Sequence, residues 1–318
     1  MIELVNVTKE YGDGTVAVED VSFEVPRGET VTLVGPSGCG KTTTMTMVNR
    51  LTEVTEGEIL VDGEPITEMD RIELRRNIGY VIQEIGLFEH MTVGENIAIV
   101  PDLRGWDEEE KEARVEELLE LIQLPQSVKE DYPANLSGGQ RQRVGVARAM
   151  AAKPDIILMD EPFGALDPIT REELQDEFLD IQKQLDTTIM FVTHDIDEAL
   201  KMGDRVAVLK DGKLIQYDTP EDLLGNPTDD FVASFIGTDR VLKQLAAVEV
   251  REVMNPPAGG QDVGDHPLSP DDSLKVALQR IFQQGEPLAV VENGEVVGQL
   301  READIQGVTD RRTSEVRQ

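Results

Sequence analysis

The string Gly35-Pro36-Ser37-Gly38-Cys39-Gly40-Lys41-Thr42 constrains this chain more than any other stretch. It satisfies GxxxxGK[ST] in the setting that gives the pattern meaning. The apolar run TVTLV at 30–34 reads as a strand before it, and a helix from about Lys41 to Leu51 follows. Glycines there let successive backbone N–H groups converge on phosphate oxygens. Lys41 would reach the β- and γ-phosphates, and the Thr42 hydroxyl would bind Mg²⁺. The competing reading is an ordinary glycine turn; the strand-loop-helix order favours the phosphate cradle.

The rest of the pattern predicts an α/β chain. Residues 2–7 and 16–25 alternate apolar and polar side chains across Gly12-Asp13-Gly14, which predicts an antiparallel pair. Residues 57–62, followed by Gly63, predict a hairpin strand, and IGYVI at 78–82 a buried one. From about 92 to 151 the pattern turns helical. Within the acidic stretch 107–123, Val115, Leu118, Leu119 and Ile122 recur at helical spacing. The runs IILM (156–159) and TIMFVT (188–193), with a helical stretch at 170–185 between them, predict a parallel sheet buried on both faces. Residues 205–217 predict two strands joined at Asp211-Gly212. Composition shifts near residue 237, and prolines and glycines gather over 255–271. Around them a small βαββα pattern is expected: a strand at 248–253, a helix at 273–284, strands at 288–291 and 295–298, and a helix near 302–307.

Two further strings carry chemistry. IILMDE at 156–161 ends an apolar strand in adjacent carboxylates at the carboxyl edge of the sheet, where ligand sites of α/β folds lie. Asp160 would hold Mg²⁺ through water, and Glu161 would accept a proton from an attacking water. An apolar strand ending in acids is also common without either role. Leu136-Ser137-Gly138-Gly139-Gln140 runs into Arg141-Gln142-Arg143 and a helix. A serine and two glycines at a helix start present free N–H groups and the positive end of the dipole, and would also make a good cap.

LSGGQ, about 100 residues after the phosphate loop and about 20 before Asp160, resembles the signature of ABC ATPases. The resemblance covers about residues 1–236. It implies a P-loop NTPase (ABC ATPase) fold with an antiparallel β subdomain and a helical subdomain at about 92–151. It also implies hydrolysis of ATP with Mg²⁺ by a homodimer with two composite sites. In these, Ser137, Gly138, Gly139 and Gln140 face the γ-phosphate held by the other subunit. On the same resemblance ATP lies on Gly35, Pro36, Ser37, Gly38, Cys39, Gly40, Lys41, Thr42 and Thr43. Tyr11 stacks on adenine, Gln83 senses Mg²⁺ and touches a membrane partner, Asp167 communicates across the dimer, and His194 contacts the γ-phosphate and the attacking water. The expected catalytic set is Lys41, Gln83, Glu161 and His194; the expected Mg²⁺ set is Thr42, Gln83 and Asp160. Each has a local rival: a surface tyrosine for Tyr11, loop filler for Gln83, a helix N-cap for Asp167, a core histidine for His194. Cys39 reads either as a reactive thiol beside Lys41 or as a small residue tolerated in the loop. His90 and His266 carry no role.

Within that family, MTMVNRL, IGYVIQEIGLFEHMTVGENIAIVP and ILMDEPFGALDPITR are most similar to ATPases of quaternary-amine importers for glycine betaine, choline or carnitine. This implies transmembrane permease subunits as partners, a substrate-binding protein acting indirectly, and a place on the cytoplasmic face of the membrane. Amino-acid, polyamine and molybdate importers stay open. In 84–101, Leu87, Phe88 and Met91 are candidates to meet a permease helix, or they pack the helical subdomain. After a linker at 237–247, residues 248–310 resemble a single CBS motif: Val253-Met254, Leu288–Val291, and Val297-Gly298 through Asp304-Ile305. A paired module would need two chains. Arg301 stands where nucleotide-binding CBS motifs often carry Thr or Ser, and Asp304 keeps the place of a ribose-contacting acid. A small-molecule effector and a purely structural role both stay open there. A loose polar tail is expected at 311–318.

Charge trims the alternatives. Sixty-three acidic residues against 30 basic ones give a formal charge of −33, which excludes a nucleic-acid partner because phosphate backbones need a basic surface. An ABC ATPase acting on DNA or ribosomes is therefore disfavoured, and intact Lys41, Asp160, Glu161 and His194 disfavour a vestigial one. The acids are spread along a well-patterned chain with only 11 lysines, which suits a solvated shell in a salt-rich cytoplasm. One cysteine excludes an intrachain disulfide and suits a reducing compartment. The N-terminus MIELVNVTKEY lacks a basic start and an apolar run, so no signal peptide is expected. No uninterrupted apolar stretch of about 18 residues predicts a membrane span.

Overall fold

A computed structural model describes residues 1–83, 86–164, 166–182, 187–237, 240–257, 267–285, 287–292 and 294–305. The tail expected at 311–318, and His266, lie outside them. Contacts group the chain into two units, Met1–Tyr217 and Asp218–Gln318.

The first unit begins β1 (Ile2–Glu10), β2 (Val16–Val25), β3 (Thr30–Val34), α1 (Lys41–Val48), β4 (Glu56–Val61), β5 (Glu64–Pro65), α2 (Arg71–Asn77) and β6 (Ile78–Val81). It continues through α3 (Val93–Leu103), α4 (Glu108–Leu121), α5 (Gly138–Met150), β7 (Ile156–Asp160), α6 (Pro168–Gln182), β8 (Thr188–Val192) and α7 (Ile196–Met202). It ends in β9 (Arg205–Lys210) and β10 (Lys213–Asp218). Helix α1 stops short of Leu51 because Arg50 turns to φ 54°.

Local chemistry explains the punctuation. Asp62-Gly63 and Asp211-Gly212 both take positive φ (51° and 80°, 49° and 81°), the two-residue turn that matches strand twist. Helices α3, α4 and α5 each open on a reciprocal capping box, Thr92 with Glu95, Asp107 with Glu110 and Ser137 with Gln140.

Two sheets result. The antiparallel one has the order β2-β1-β4-β5, and the larger one β10-β9-β3-β8-β7-β6. In the larger sheet β3, β6, β7, β8 and β9 pair in parallel, and β3, β7 and β8 are buried along their whole length. That is what continuous apolar runs require of a sheet covered on both faces. Alternation then divides each strand between two cores. Ile157 and Met159 of β7, with Ile189 and Phe191 of β8, pack under α3–α6. Ile156 and Leu158, with Met190 and Val192, pack against α1 and the antiparallel sheet.

The second unit contains α8 (Pro220–Gly225), α9 (Asp230–Ile236), α10 (Arg240–Ala247), α11 (Val250–Val253), α12 (Leu274–Gln284), β11 (Leu288–Glu292) and β12 (Glu295–Leu300). Its core gathers Leu245, Val250, Leu268, Leu274, Ile281, Val290 and Leu300. The stretch expected as a connector at 237–247 carries α10. One expectation is corrected: of 248–253, residues 250–253 form the short helix α11, and only Glu249 before them makes a lone antiparallel bridge, to Ser273. Glu252 Oε1 accepts from Glu249 N–H at the helix start (3.0 Å), while Val248 and Val250 are both buried, so these alternating valines meet the core without a ladder. Residues 302–305 are helical, and the remainder of the expected last helix lies outside the described residues.

Candidate functional site

The carboxyl ends of β3, β6, β7 and β8 lie side by side, and the loops leaving them carry the predicted phosphate loop, Gln83, Asp160-Glu161 and His194. An open cleft of about 420 Å³ is lined by Ser37–Thr43, Gln83, Glu161, His194 and Ala17.

The backbone builds the cradle. Gly35 (φ 154°) runs so close to β9 that a Cβ would sit 2.1 Å from the Leu209 carbonyl oxygen. At Gly40 (φ 100°) it would sit 2.4 Å from the oxygen of Ala17. At Gly38 (φ 78°) it would enter open space. Gly35→Ala is therefore expected to cost roughly 1–3 kcal/mol more in urea unfolding than Gly38→Ala, whose penalty of about 1–2 kcal/mol comes from its dihedral alone. Equal urea midpoints for the two variants would contradict this.

Lys41 folds over the loop with Nζ donating to the carbonyl oxygens of Gly35 (2.8 Å) and Pro36 (3.1 Å). The Thr42 hydroxyl donates to Asp160 Oδ1 at 3.0 Å. These two oxygens are a hard donor pair suited to Mg²⁺, which keeps waters and takes its remaining ligands from substrate phosphates. Asp160 is only 7% exposed, and burial pushes its carboxyl above the usual range. The Thr42 hydrogen bond opposes that, the Glu161 charge adds to it, and the Lys41 charge opposes it.

A raised folded-state pKa means that the folded chain holds the extra proton. The stability it gives is full below the unfolded carboxylate pKa and is lost as pH rises through the folded value. At neutral pH, Asp160→Asn, which keeps an acceptor for Thr42, is expected to be about 0.5–2 kcal/mol more stable than wild type without nucleotide. Thermal melts should show the gap closing as pH falls into the carboxylate range; a widening gap would refute the assignment.

Glu161 sits at φ 44°, an unusual backbone for a side chain of its size, with its N–H bonded to the Val192 oxygen at 2.9 Å. Its Oε2 meets His194 Nδ1 at 3.0 Å and accepts from Gln83 Nε2 at 3.2 Å. His194 is 56% exposed, so it is not a core histidine. Carboxylate, imidazole and amide thus cluster over the Lys41-Thr42-Asp160 floor, an arrangement able to orient and deprotonate a water beside a phosphate.

Other predicted residues stand apart within the chain. Ser137 caps α5, its Oγ accepting from Gln140 N–H (3.2 Å) while Gln140 Oε1 accepts from Ser137 N–H (2.9 Å). Neither they nor Gly138 and Gly139 line the cleft. Asp167 accepts from Thr170 N–H at 3.2 Å at the start of α6; the Thr170 hydroxyl first, and this N–H second, hold its carboxyl below the usual range. Tyr11 lies in the β1–β2 turn, 43% exposed, with Lys9 Nζ 5.2 Å from its ring centroid, outside the cleft lining. Cys39 is buried with Sγ 3.8 Å from Lys41 Nζ; burial raises its thiol pKa more than the lysine lowers it, which favours the unreactive reading. Leu87 packs on the helical core, whereas Phe88 is exposed, edge-on to His90 (6.0 Å) and beneath Arg148. Sequence reasoning missed Ala17, which lines the cleft and whose carbonyl oxygen faces Gly40; a small apolar residue in a strand gives no signal of such a place.

The ABC transporter family profile matches residues 18–164. The carnitine transport ATP-binding protein OpuCA of Listeria monocytogenes is 48% identical over 93% of this chain and 74% of its own length. The choline transport ATP-binding protein OpuBA of Bacillus subtilis is 49% identical over 93% of this chain and 77% of its own. Among solved structures, the ATP-binding cassette MJ0796, a dimer in a post-hydrolysis state bound to ADP and Pi, superposes with a TM-score of 0.62 at 36% identity. It covers 69% of this chain and 99% of that one. With the phosphate loop, paired carboxylates and LSGGQ turn placed as above, this chain belongs to the ABC transporter family and is one of its ATP-hydrolysing, ATP- and Mg²⁺-binding subunits.

Proposed function

We propose that two copies of this chain, bound to permease subunits at the cytoplasmic face of a membrane, hydrolyse ATP to import a quaternary-amine osmolyte such as glycine betaine. The observation that carries the reading is the incomplete site. The cleft holds a phosphate cradle and a water-activating cluster, while the Ser137–Gln140 turn, a second anion-seeking helix start, is no part of the same chain's cleft. A second copy would bring that turn over the terminal phosphate; the similar solved cassette is a dimer bound to ADP and Pi.

In this reading Lys41 and the loop N–H groups hold the β- and γ-phosphates. Thr42 and Asp160, with Gln83 alongside, hold the Mg²⁺, which when bound neutralises charge on the phosphate oxygens. Glu161 takes the proton of the attacking water, and His194 orients that carboxylate and contacts the γ-phosphate. Tyr11 stacks on adenine, and Asp167 lies at the dimer seam. The solute class rests on the carnitine and choline relatives and suits the acidic shell of the sequence, since a salt-stressed cell accumulates such solutes. The C-terminal unit is proposed as a CBS-like regulatory or dimerising module.

The test is ATP hydrolysis by the chain reconstituted with its permease in liposomes. A binding protein loaded with glycine betaine, choline or carnitine should stimulate it. Stimulation by an amino acid, polyamine or molybdate system instead would overturn the solute class.

A further inference from the structure

Glu198 is an acid with no part in the chemistry above, yet it is only 6% exposed on α7. Its Oε1 accepts a hydrogen bond from Gln175 Nε2 of α6 at 2.9 Å, and Gln175 is itself buried. The Glu198 N–H donates to Asp195 Oδ1 at 3.3 Å, and the Thr193 Oγ1, one residue before His194, accepts from Asp195 N–H at 3.0 Å. Burial is the main influence on Glu198 and pushes its carboxyl above the usual range; the Asp195 charge adds to this, while the Thr193 and Gln175 bonds and the Arg171 charge oppose it. A carboxyl kept in such a place costs stability unless its partners satisfy it.

The neighbouring residue of α6 reaches the same turn. Arg171 Nη1 lies 3.9 Å from Asp195 Oδ2, one residue after His194, and Nη2 donates to the Leu166 carbonyl oxygen at 3.1 Å, one residue before Asp167. Asp195 in turn caps α7 through the N–H groups of Asp197 and Glu198. The turn 193–195 is thus tied to α6 through Asp195, by Arg171 directly and by Glu198, whose N–H meets Asp195 and whose carboxyl meets Gln175.

We propose that Glu198 is a positioning residue for His194: with Gln175 it clamps the Thr193–Asp195 turn to α6, holding the imidazole at hydrogen-bond distance from Glu161. The catalytic consequence rests on the reading of Glu161 and His194 as the reacting pair; the positional tie does not.

The test uses the full chain with Glu198→Leu, Gln175→Leu and Glu198→Gln. Both leucine variants are expected to lower kcat for ATP about 10- to 100-fold, the cost of misplacing a catalytic group by about 1 Å, with KM within about threefold. Glu198→Gln keeps an acceptor for Gln175 Nε2 in the same place, so it should recover most of the lost turnover. The chain has three histidines, so isotope-labelled imidazole NMR reads His194 directly. Its resonances should move in the leucine variants while those of His90 stay. Gln175→Leu reports independently should Glu198→Leu fail to fold. The proposal is overturned if His194 resonances stay put in folded leucine variants, or if Glu198→Gln is as impaired as Glu198→Leu. If the resonances move and turnover does not, the clamp stands and the reading of His194 as a reacting residue fails.

Discussion

Glu161→Gln is expected to lower ATP turnover by about 10²–10⁴-fold while leaving nucleotide binding intact, because it removes a general base and almost nothing else. Glutamine is the same size, and its amide can still pair with Gln83 and His194, which both meet Oε2 of the native carboxylate. The other oxygen is the one able to take a water's proton, and an amide cannot take it. The residue cannot readily be replaced from a neighbouring position, since φ 44° and the N–H bond to Val192 aim this one side chain into the cleft. Binding without hydrolysis should accumulate an ATP-held dimer, visible by size-exclusion chromatography with ATP and absent with ADP. Phosphate release at the wild-type rate would remove Glu161 from the mechanism.

Lys41→Ala is expected to take turnover to background and to weaken ATP binding at least about tenfold. A charge-assisted bond to phosphate is roughly twice as strong as a neutral one, and each 1.4 kcal/mol is a factor of ten. The native ammonium donates to the Gly35 and Pro36 carbonyl oxygens and, weakly, to the Cys39 sulfur, partners easily exchanged for phosphate oxygens. Removing it also takes away a cation beside Cys39, so the thiol should become harder still to ionise. Equilibrium binding of a fluorescent nucleotide and a phosphate-release assay separate the two effects. Undiminished affinity would mean that the loop N–H groups alone hold the nucleotide.

What was legible in the sequence was chemistry that acts locally. Asp-Gly pairs give hairpins because both residues tolerate positive φ. TVTLV, IILMD and TIMFV give buried parallel strands because no polar side chain interrupts them. Ser/Thr/Asp followed three residues later by Glu/Gln gives helix starts. The phosphate loop and the paired carboxylates were legible for the same reason, each being complete within a few residues. The rest depended on distant neighbours. VEVREV at 248–253 has the alternation of a strand, but Glu252 caps a helical turn there and Val248 and Val250 are buried without a ladder. Glu198 reads as one more solvated acid on a short amphipathic helix, and only the packing of α6 shows it buried. The backbone turn at Glu161 has no signature in residue type at all.

The alternation along β7 has a mechanical corollary. Met159 is anchored among the helices, Leu158 in the layer beneath, and the peptide that follows them carries Asp160 and Glu161 without any intervening loop. A tilt imposed on the helical layer cannot slip past such a rod; it must twist it. Pushing from outside would therefore re-aim both carboxylates through a single torsion of main chain, so that the gearing between stroke and bond cleavage is only two residues long.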